Sequence, residues 1–361
     1  MGKGRVYQLL PSLAYGDAVS NDALQMHQVL KKAGYEVETS AMDLVRRVRD
    51  THPYLHKYGE VPEPSGDDIL LYHLSIGSPL HEAIRRMKCR KVFVYHNITP
   101  ASFFAGYSGR AEIQCRNGVR EIREMADQPD LVLAVSSFNA EHLRSLGYTC
   151  EIHRLPILMD FTEYDAEPDK AVMEKYHRGE GHNIVFVGRV APNKRQQDLI
   201  AAYAQYRRDT DPEARLFLVG GNAGLESYDA ELRAYARALG VEDGVRFTGH
   251  VRFPEILAYY RIADAFLSLS RHEGFCVPLL EAMYFDVPVL ALDKGAVAET
   301  LSGAGELLAS SDPKTVSEAL SRVLHQSPEE RKAFLEKQHA RLADFAYEKT
   351  AAQFLEEMEH V

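Results

Sequence analysis

Short apolar runs alternate with longer amphipathic stretches along the whole chain, the pattern of buried parallel strands joined by crossover helices. In the first half the runs fall at 6–10, 69–74, 91–95 and 131–135, with helical spacing over 18–33, 109–126 and 139–146. The rhythm restarts at 183–187 and continues through 215–219, 245–247, 265–269 and 287–290. The fold class is therefore α/β throughout, and the restart implies two sheets rather than one long one. From 159 to 181, Asp160, Glu163, Asp165, Glu167, Pro168 and Asp169 interrupt the apolar periodicity. That stretch reads as a polar connection and sets a boundary near residue 170. At the end of the chain Ala351, Phe354, Leu355 and Met358 stand at helical spacing, an apolar stripe that must pack against something. The expected organisation is a first domain over 1–170, a second over 171–344 and a terminal helix over 345–361.

A chain of 361 residues is long enough for two domains, each with its own core. Acidic residues outnumber basic ones 52 to 42, which argues against a nucleic-acid partner but leaves room for a local cationic pocket. Cys89, Cys115, Cys150 and Cys276 lie far apart without a CxxC pair, so neither a zinc ribbon nor a disulfide framework is expected. The opening Met1-Gly2-Lys3-Gly4-Arg5 runs into an apolar segment too short and too interrupted for a signal peptide. No apolar run reaches the roughly 18 residues of a membrane helix. A cytoplasmic protein is expected, with any membrane contact peripheral, at the inner face.

Two segments carry candidate chemistry. The run Ile184-Val185-Phe186-Val187-Gly188-Arg189-Val190-Ala191-Pro192-Asn193-Lys194 is a buried strand that breaks at a glycine and delivers an arginine and a lysine into a loop. A forked guanidinium and a compact ammonium suit a diphosphate whose charge grows as its bond to a sugar breaks. For this motif alone, two solvated cations flanking a turn serve equally well. The second run, Ser270-Arg271-His272-Glu273-Gly274-Phe275-Cys276-Val277-Pro278, leads from a strand into a helix carrying Glu281. Pro278 suits the first helical position, and the amides of Gly274, Phe275 and Cys276 would face an anion at the helix start. Glu273 and Glu281 supply acceptors for hydroxyls at the carboxyl edge of the sheet, where α/β folds bind ligands. Glu281 also fits as an acid favoured near any helix start.

Taken together, G-R-x4-K followed by E-G-F-x-x-P-x-x-E-A resembles the GT-B retaining glycosyltransferases of family 4, the glycosyl transferases group 1. The resemblance implies two facing Rossmann-like domains, with a C-terminal helix crossing back to the N-terminal, acceptor-side domain. It implies that Arg189 and Lys194 bind the diphosphate of a nucleotide sugar, Glu281 the ribose, and that Glu273 lies by the transferred sugar. Val251, in Gly249-His250-Val251-Arg252, falls where family members pass close to the nucleobase. Gly16 matches a glycine of the loop whose amides reach the diphosphate, although a glycine in a strand-to-helix turn is also common for backbone reasons. His96, just past a strand end, matches the histidine that contacts the sugar, against the plainer reading of a structural histidine. Ser136, Ser137 and Asn139 line the cleft on one reading and cap a helix on the other. Cys276 departs from a frequent glycine of the family, and Tyr284-Phe285 stand where small residues are common.

The strings Tyr72-His73-Leu74-Ser75-Ile76-Gly77-Ser78 and Tyr95-His96-Asn97-Ile98-Thr99-Pro100 look like those of a mannosyltransferase subgroup that builds bacterial surface polysaccharides. GDP-mannose is the implied donor, and a glycan or lipid-linked saccharide the implied acceptor. Arg46, Arg47 and Arg49, or Arg85, Arg86 and Lys88, would meet an anionic lipid-linked acceptor, and solvated helix faces explain them equally well. The implied reaction retains configuration without an enzyme nucleophile and needs no metal or other cofactor. Competing readings are a UDP-sugar-dependent transferase, a glycan phosphorylase, or a non-catalytic sugar-nucleotide binding module. No P-loop, G-x-S-x-G, HExxH or G-x-G-x-x-G string is present to support ATPase, hydrolase, zinc protease or nicotinamide chemistry.

Overall fold

A computed structural model of the protein describes residues 4–176 and 181–361. The chain's first residues, 1–3, and residues 177–180 of the expected connection lie outside them. The chain divides into two compact units. The first comprises Met1–Ser102, Arg110–Asp160 and Phe345–Val361, and the second Phe103–Gly109 and Phe161–Asp344.

The first unit holds a seven-stranded sheet of β1 (Arg5–Leu13), β2 (Glu36–Leu44), β3 (Leu55–Lys57), β4 (Ile69–Leu74), β5 (Arg90–Tyr95), β6 (Leu131–Ala134) and β7 (Glu151–Arg154). The order is β3-β2-β1-β4-β5-β6-β7, with every pair parallel. The direction of winding reverses between β1 and β4, and the carboxyl ends of those two strands form the switch point at which such sheets bind ligands. One face of the sheet is closed by Val6, Leu71, Val92, Val94 and Leu133 packed with Met26 and Leu30 of the helix Ala18–Lys32. Phe354 and Met358 of the last helix, Tyr347–Glu359, are buried in the same cluster, with Ala351 and Leu355 against it. Burying each of those two side chains contributes about 1.5–3 kcal/mol by transfer from water, which fastens the end of the chain to this unit.

The second unit holds β8 (Asn183–Val187), β9 (Arg215–Val219), β10 (Val245–Gly249), β11 (Ala265–Ser268), β12 (Val289–Leu292) and β13 (Glu306–Leu308). Their order is β10-β9-β8-β11-β12-β13, again all parallel. Here the switch point lies between β8 and β11. Those are the two strands that run into the G-R-x4-K and E-G-F segments.

The passage from first unit to second falls at Asp160/Phe161, ahead of the expected boundary near 170. The physical reason is aromatic. Phe161 stacks on Tyr284 with ring centroids 4.7 Å apart, and Tyr164 meets Phe253 edge-on at 5.2 Å. Asp169, read as linker, takes its backbone N–H to the carbonyl of Pro254 at 2.8 Å and its carboxylate to Arg252 at 3.0 Å. The acidic run is thus folded onto the second unit. Phe103–Gly109 also belongs there, held by Tyr107, whose ring meets Tyr228 edge-on and whose hydroxyl donates to Glu231 at 2.9 Å.

Candidate functional site

Beyond β8 the backbone keeps pairing as it leaves the sheet: Gly188 N–H donates to the Val219 carbonyl and Val190 N–H to that of Gly221, both at 2.9 Å. Gly220 makes this approach possible, since a Cβ there would overlap the carbonyl of Gly188. Arg189 is exposed, with Nη2 3.4 Å from the Ala223 carbonyl. Its own carbonyl accepts from Gln196 Nε2 at 3.0 Å, which pins the loop to the next helix. A 3-10 turn, Pro192–Lys194, then brings Lys194 Nζ to 2.6 Å from Glu273 Oε1, with the side chains 23% and 8% exposed. The sequence left open whether Arg189 and Lys194 are merely solvated cations; in the structure Lys194 is tied to the second motif.

The loop that carries Glu273 is fixed from both sides. Arg271 N–H donates to the Asn193 carbonyl at 2.8 Å, and the Glu273 carbonyl accepts from Ala296 N–H at 2.9 Å. Thr300 Oγ1 donates to the carbonyl of buried Phe275 at 2.7 Å. Gly274 leads into this turn, and Cys276 ends it at φ 71°, in the left-handed region, as the N-cap of the helix Val277–Tyr284. That conformation accounts for the glycine many family members carry at this place. Pro278 occupies the second helical position rather than the first, still one whose missing N–H leaves no intrahelical bond unmade.

Charge is balanced locally. Burial pushes the Lys194 ammonium down, but the Glu273 carboxylate outweighs it and holds the group above its ordinary range. Burial, with Glu273 adding to it, pushes the Cys276 thiol well up, so the thiol stays neutral. Glu281, on the helix, accepts from Tyr164 Oη and Tyr260 Oη, each at 2.6 Å and each on a different oxygen. Val251 sits half-buried just past β10, following Gly249 at φ 69°. Arg189, Lys194, Val251, Glu273, Gly274, Phe275, Cys276 and Glu281 therefore all belong to the second unit, on loops and a helix start at the carboxyl ends of its strands.

Gly16 and His96 belong to the first unit. Gly16 adopts φ 73° between β1 and the helix that Asp17 caps by accepting from Ser20 N–H at 3.0 Å. His96 follows β5 directly, and its ring is 2% exposed, turned inward rather than to solvent. His73 Nδ1 lies 2.9 Å from His96 Nε2, and His73 Nε2 lies 3.1 Å from Gln8 Oε1. The amide oxygen of Gln8 only accepts, since its Nε2 donates to Ala23 and Thr39. His73 must then carry its proton on Nε2, accept on Nδ1, and receive the proton of His96 Nε2. His96 Nδ1 is left as a bare, buried acceptor. Ser136 caps the helix Ser137–Ser145 and Asn139 bonds the Tyr95 carbonyl, so the capping reading holds for that segment.

Asp22 lies beside this chain, its Oδ1 accepting from Leu158 N–H at 2.8 Å and its Oδ2 3.8 Å from His96 Nε2. Asp22, His73 and His96 are the set whose ligating atoms gather within 4.8 Å among the described residues. The 2.9 Å His73–His96 contact is the hydrogen bond that His96 Nε2–H donates to His73 Nδ1. Burial pushes Asp22 up to about 7, and burial pushes His96 down to about 3 and His73 well down. Asp22 therefore gains a proton on folding between its ordinary 3.8 and about 7, which lowers stability as pH rises through that window. The two histidines shed protons on folding and act in the opposite sense. Asp22→Asn keeps the Leu158 acceptor and removes only the first effect. The stability margin of the variant over the parent should grow by at least about 1 kcal/mol from about pH 4 to about pH 7.5. Thermal melts at the two pH values check this; a constant margin would count against a protonated Asp22.

Of the groups in these networks, sequence reasoning passed over Gln8, Asp22, Tyr164 and Tyr260 and quoted His73 only within a string. Gln8 and His73 left a signal, each a polar residue within an otherwise apolar buried run, 6–11 of β1 and 69–74 of β4. The tyrosines left none.

The positive regions of the candidate acceptor surfaces are partly engaged. Arg49 pairs with Glu60 at 3.0 Å and Arg47 lies over the exposed ring of Tyr15 at 4.7 Å. No helix among the described residues is long and apolar enough to cross a membrane.

Residues 170–341 match the family model described as glycosyl transferases group 1. The chain is 33% identical over 190 residues to a GDP-mannose-dependent alpha-(1-6)-phosphatidylinositol monomannoside mannosyltransferase of Mycobacterium tuberculosis, covering 50% of this chain and 48% of that protein. It is 30% identical over 274 residues to a D-inositol 3-phosphate glycosyltransferase of Frankia alni, covering 68% and 65%. The chain thus spans about half to two thirds of the length of these curated relatives. Sucrose-phosphate synthase from Thermosynechococcus elongatus superposes over 99% of both chains with a TM-score of 0.77 at 15% identity, a likeness of fold.

Proposed function

Since residues 170–341 match the glycosyl transferases group 1 and the fold is GT-B, we propose that the chain transfers a hexose from a nucleotide sugar, namely mannose from GDP-mannose, to a glycan or lipid-linked acceptor. The observation that carries this reading is the Lys194–Glu273 pair at 2.6 Å, where the loops after β8 and β11 meet at the switch point. One motif supplies the cation and the other the carboxylate.

In the proposed reaction the bond from the sugar's anomeric carbon to the diphosphate breaks and a bond to the acceptor oxygen forms on the same face. The acceptor's proton passes to the departing diphosphate. Arg189 and Lys194 stabilise the charge on that leaving group, and Glu273, its carbonyl held by Ala296 N–H, orients the sugar. Protein cations do this without a divalent metal. His96 and Gly16 keep the sugar and diphosphate roles that the family resemblance gives them, and Val251 the neighbourhood of the base. The mannosyltransferase reading draws on the relative that uses GDP-mannose and on the Tyr72–Ser78 and Tyr95–Pro100 strings.

A ligand that binds only the folded state raises the melting temperature, by about 2.7 kcal/mol of stability at a hundred times its Kd. With GDP-, UDP- and ADP-sugars in parallel, GDP-mannose should give the largest shift, unchanged by magnesium or by EDTA. A larger shift with a UDP-sugar would overturn the donor. A shift that needs magnesium would overturn the metal-independent mechanism, and no shift with any of them the transferase reading.

A further inference from the structure

Both oxygens of the Glu281 carboxylate are already in use. Tyr164, from the turn Phe161–Asp165, donates to Oε1, and Tyr260, from the helix Phe253–Ile262, donates to Oε2. An ionised carboxylate offers about four lone-pair directions, so one remains on each oxygen. Two adjacent acceptors match the two hydroxyls of a vicinal diol.

We propose that Tyr164 and Tyr260 are positioning residues that lock the Glu281 carboxylate in the orientation that receives the ribose diol of a nucleoside diphosphate. The inference rests on the donor reading of Glu281 and deepens it. Each phenol fixes one oxygen and leaves the other lone pair of that oxygen for one ribose hydroxyl.

The surroundings are built to hold this arrangement. Tyr260 stacks on Phe285 with centroids 5.4 Å apart and planes 8° from parallel. Tyr164 packs edge-on to Tyr284 and Phe253, and Phe161 lies flat on Tyr284. Tyr284 Oη donates to Asp165 at 2.7 Å, closing the turn that carries Tyr164. The Tyr284-Phe285 pair that departs from the family's small residues is thus the platform on which both phenols rest.

The protonation states agree with the geometry. Burial pushes Glu281 up, and the bonds from Tyr164 and Tyr260 pull it back toward ionisation. Burial, with Glu281 adding to it, pushes both phenols well above their ordinary range, so both remain donors. Glu163 beside Tyr164 strengthens that effect, and the neighbouring Cys276 thiol is kept neutral by its own burial. A Glu281 that took up a proton would lose one of the two acceptors the diol needs.

Calorimetric titration of GDP and UDP, each beside its 2′,3′-dideoxy form, tests the proposal on the parent and on Tyr164→Phe, Tyr260→Phe and Glu281→Gln. Each tyrosine variant should weaken the ribonucleotides about threefold to tenfold and leave the dideoxy forms near their parent affinity. The acid limb of ribonucleotide binding should move to higher pH, which a merely structural loss would not do. If Glu281→Gln weakens ribo and dideoxy forms alike, the ribose reading of Glu281 fails. If Glu281→Gln discriminates between them and the tyrosine variants do not, the positioning role is overturned.

Discussion

Lys194→Ala is expected to lower turnover by about 10²–10³-fold, the loss typical when one preorganised donor is removed from a charge that develops in the transition state. The donor for the assay is whichever nucleotide sugar stabilises the protein most. Removing the ammonium also strands Glu273, whose side chain is 8% exposed and which bonds Lys194 at 2.6 Å. Breaking one side of such a buried pair costs about 3–5 kcal/mol, because the remaining charge is left uncompensated. The same variant should therefore melt several degrees earlier than the parent. The double variant Lys194→Met with Glu273→Gln separates the two effects. With neither charge present it should recover most of the melting temperature and none of the turnover. Near-parent turnover in Lys194→Ala would sink the leaving-group role, and an unchanged melting temperature would show that the pair contributes little to the fold.

The sequence made this site legible to unequal degrees, and the reasons are physical. Strands buried on both faces, such as β4 with six buried residues in a row, announce themselves as unbroken apolar runs. β2 does not: its Glu36 and Glu38 alternate with Val37, and Thr39 and Ser40 are buried although polar. The edge strands β7, Glu-Ile-His-Arg, and β13, Glu-Leu-Leu, are short and half-exposed, so their composition carries little pattern. The motif residues were readable because a backbone that must turn at a strand end needs glycines, and these mark the place. Tyr164 was not readable, since its meaning lies in a bond to Glu281, 117 positions away. Its neighbours Glu163 and Asp165 argued for a linker. His96 was placed at the right strand end, while its inward orientation depends on His73 and Gln8, which only the folded sheet brings together.

The position of Glu273 depends on a residue outside both motifs, and Gly295→Ala is expected to show it. Gly295 stands at φ 62°, where a side chain costs roughly 1–2 kcal/mol by itself. A Cβ there would also overlap the Glu273 carbonyl oxygen and come within 2.8 Å of the Glu273 nitrogen. Relief requires the loop around Glu273 to move, and with it the bond from Ala296 N–H. A displacement on the order of 1 Å at a reacting group lowers rates by about 10²-fold. Gly295→Ala should thus reduce turnover by about that factor and lower the melting temperature. Gly303→Ala supplies the control: its φ is 85°, yet a Cβ there meets nothing within 4 Å. It should share the conformational cost and keep the turnover. Equal turnover in the two variants would mean that the collision with Glu273 is absorbed without moving the carboxylate, and that Gly295 serves the turn alone.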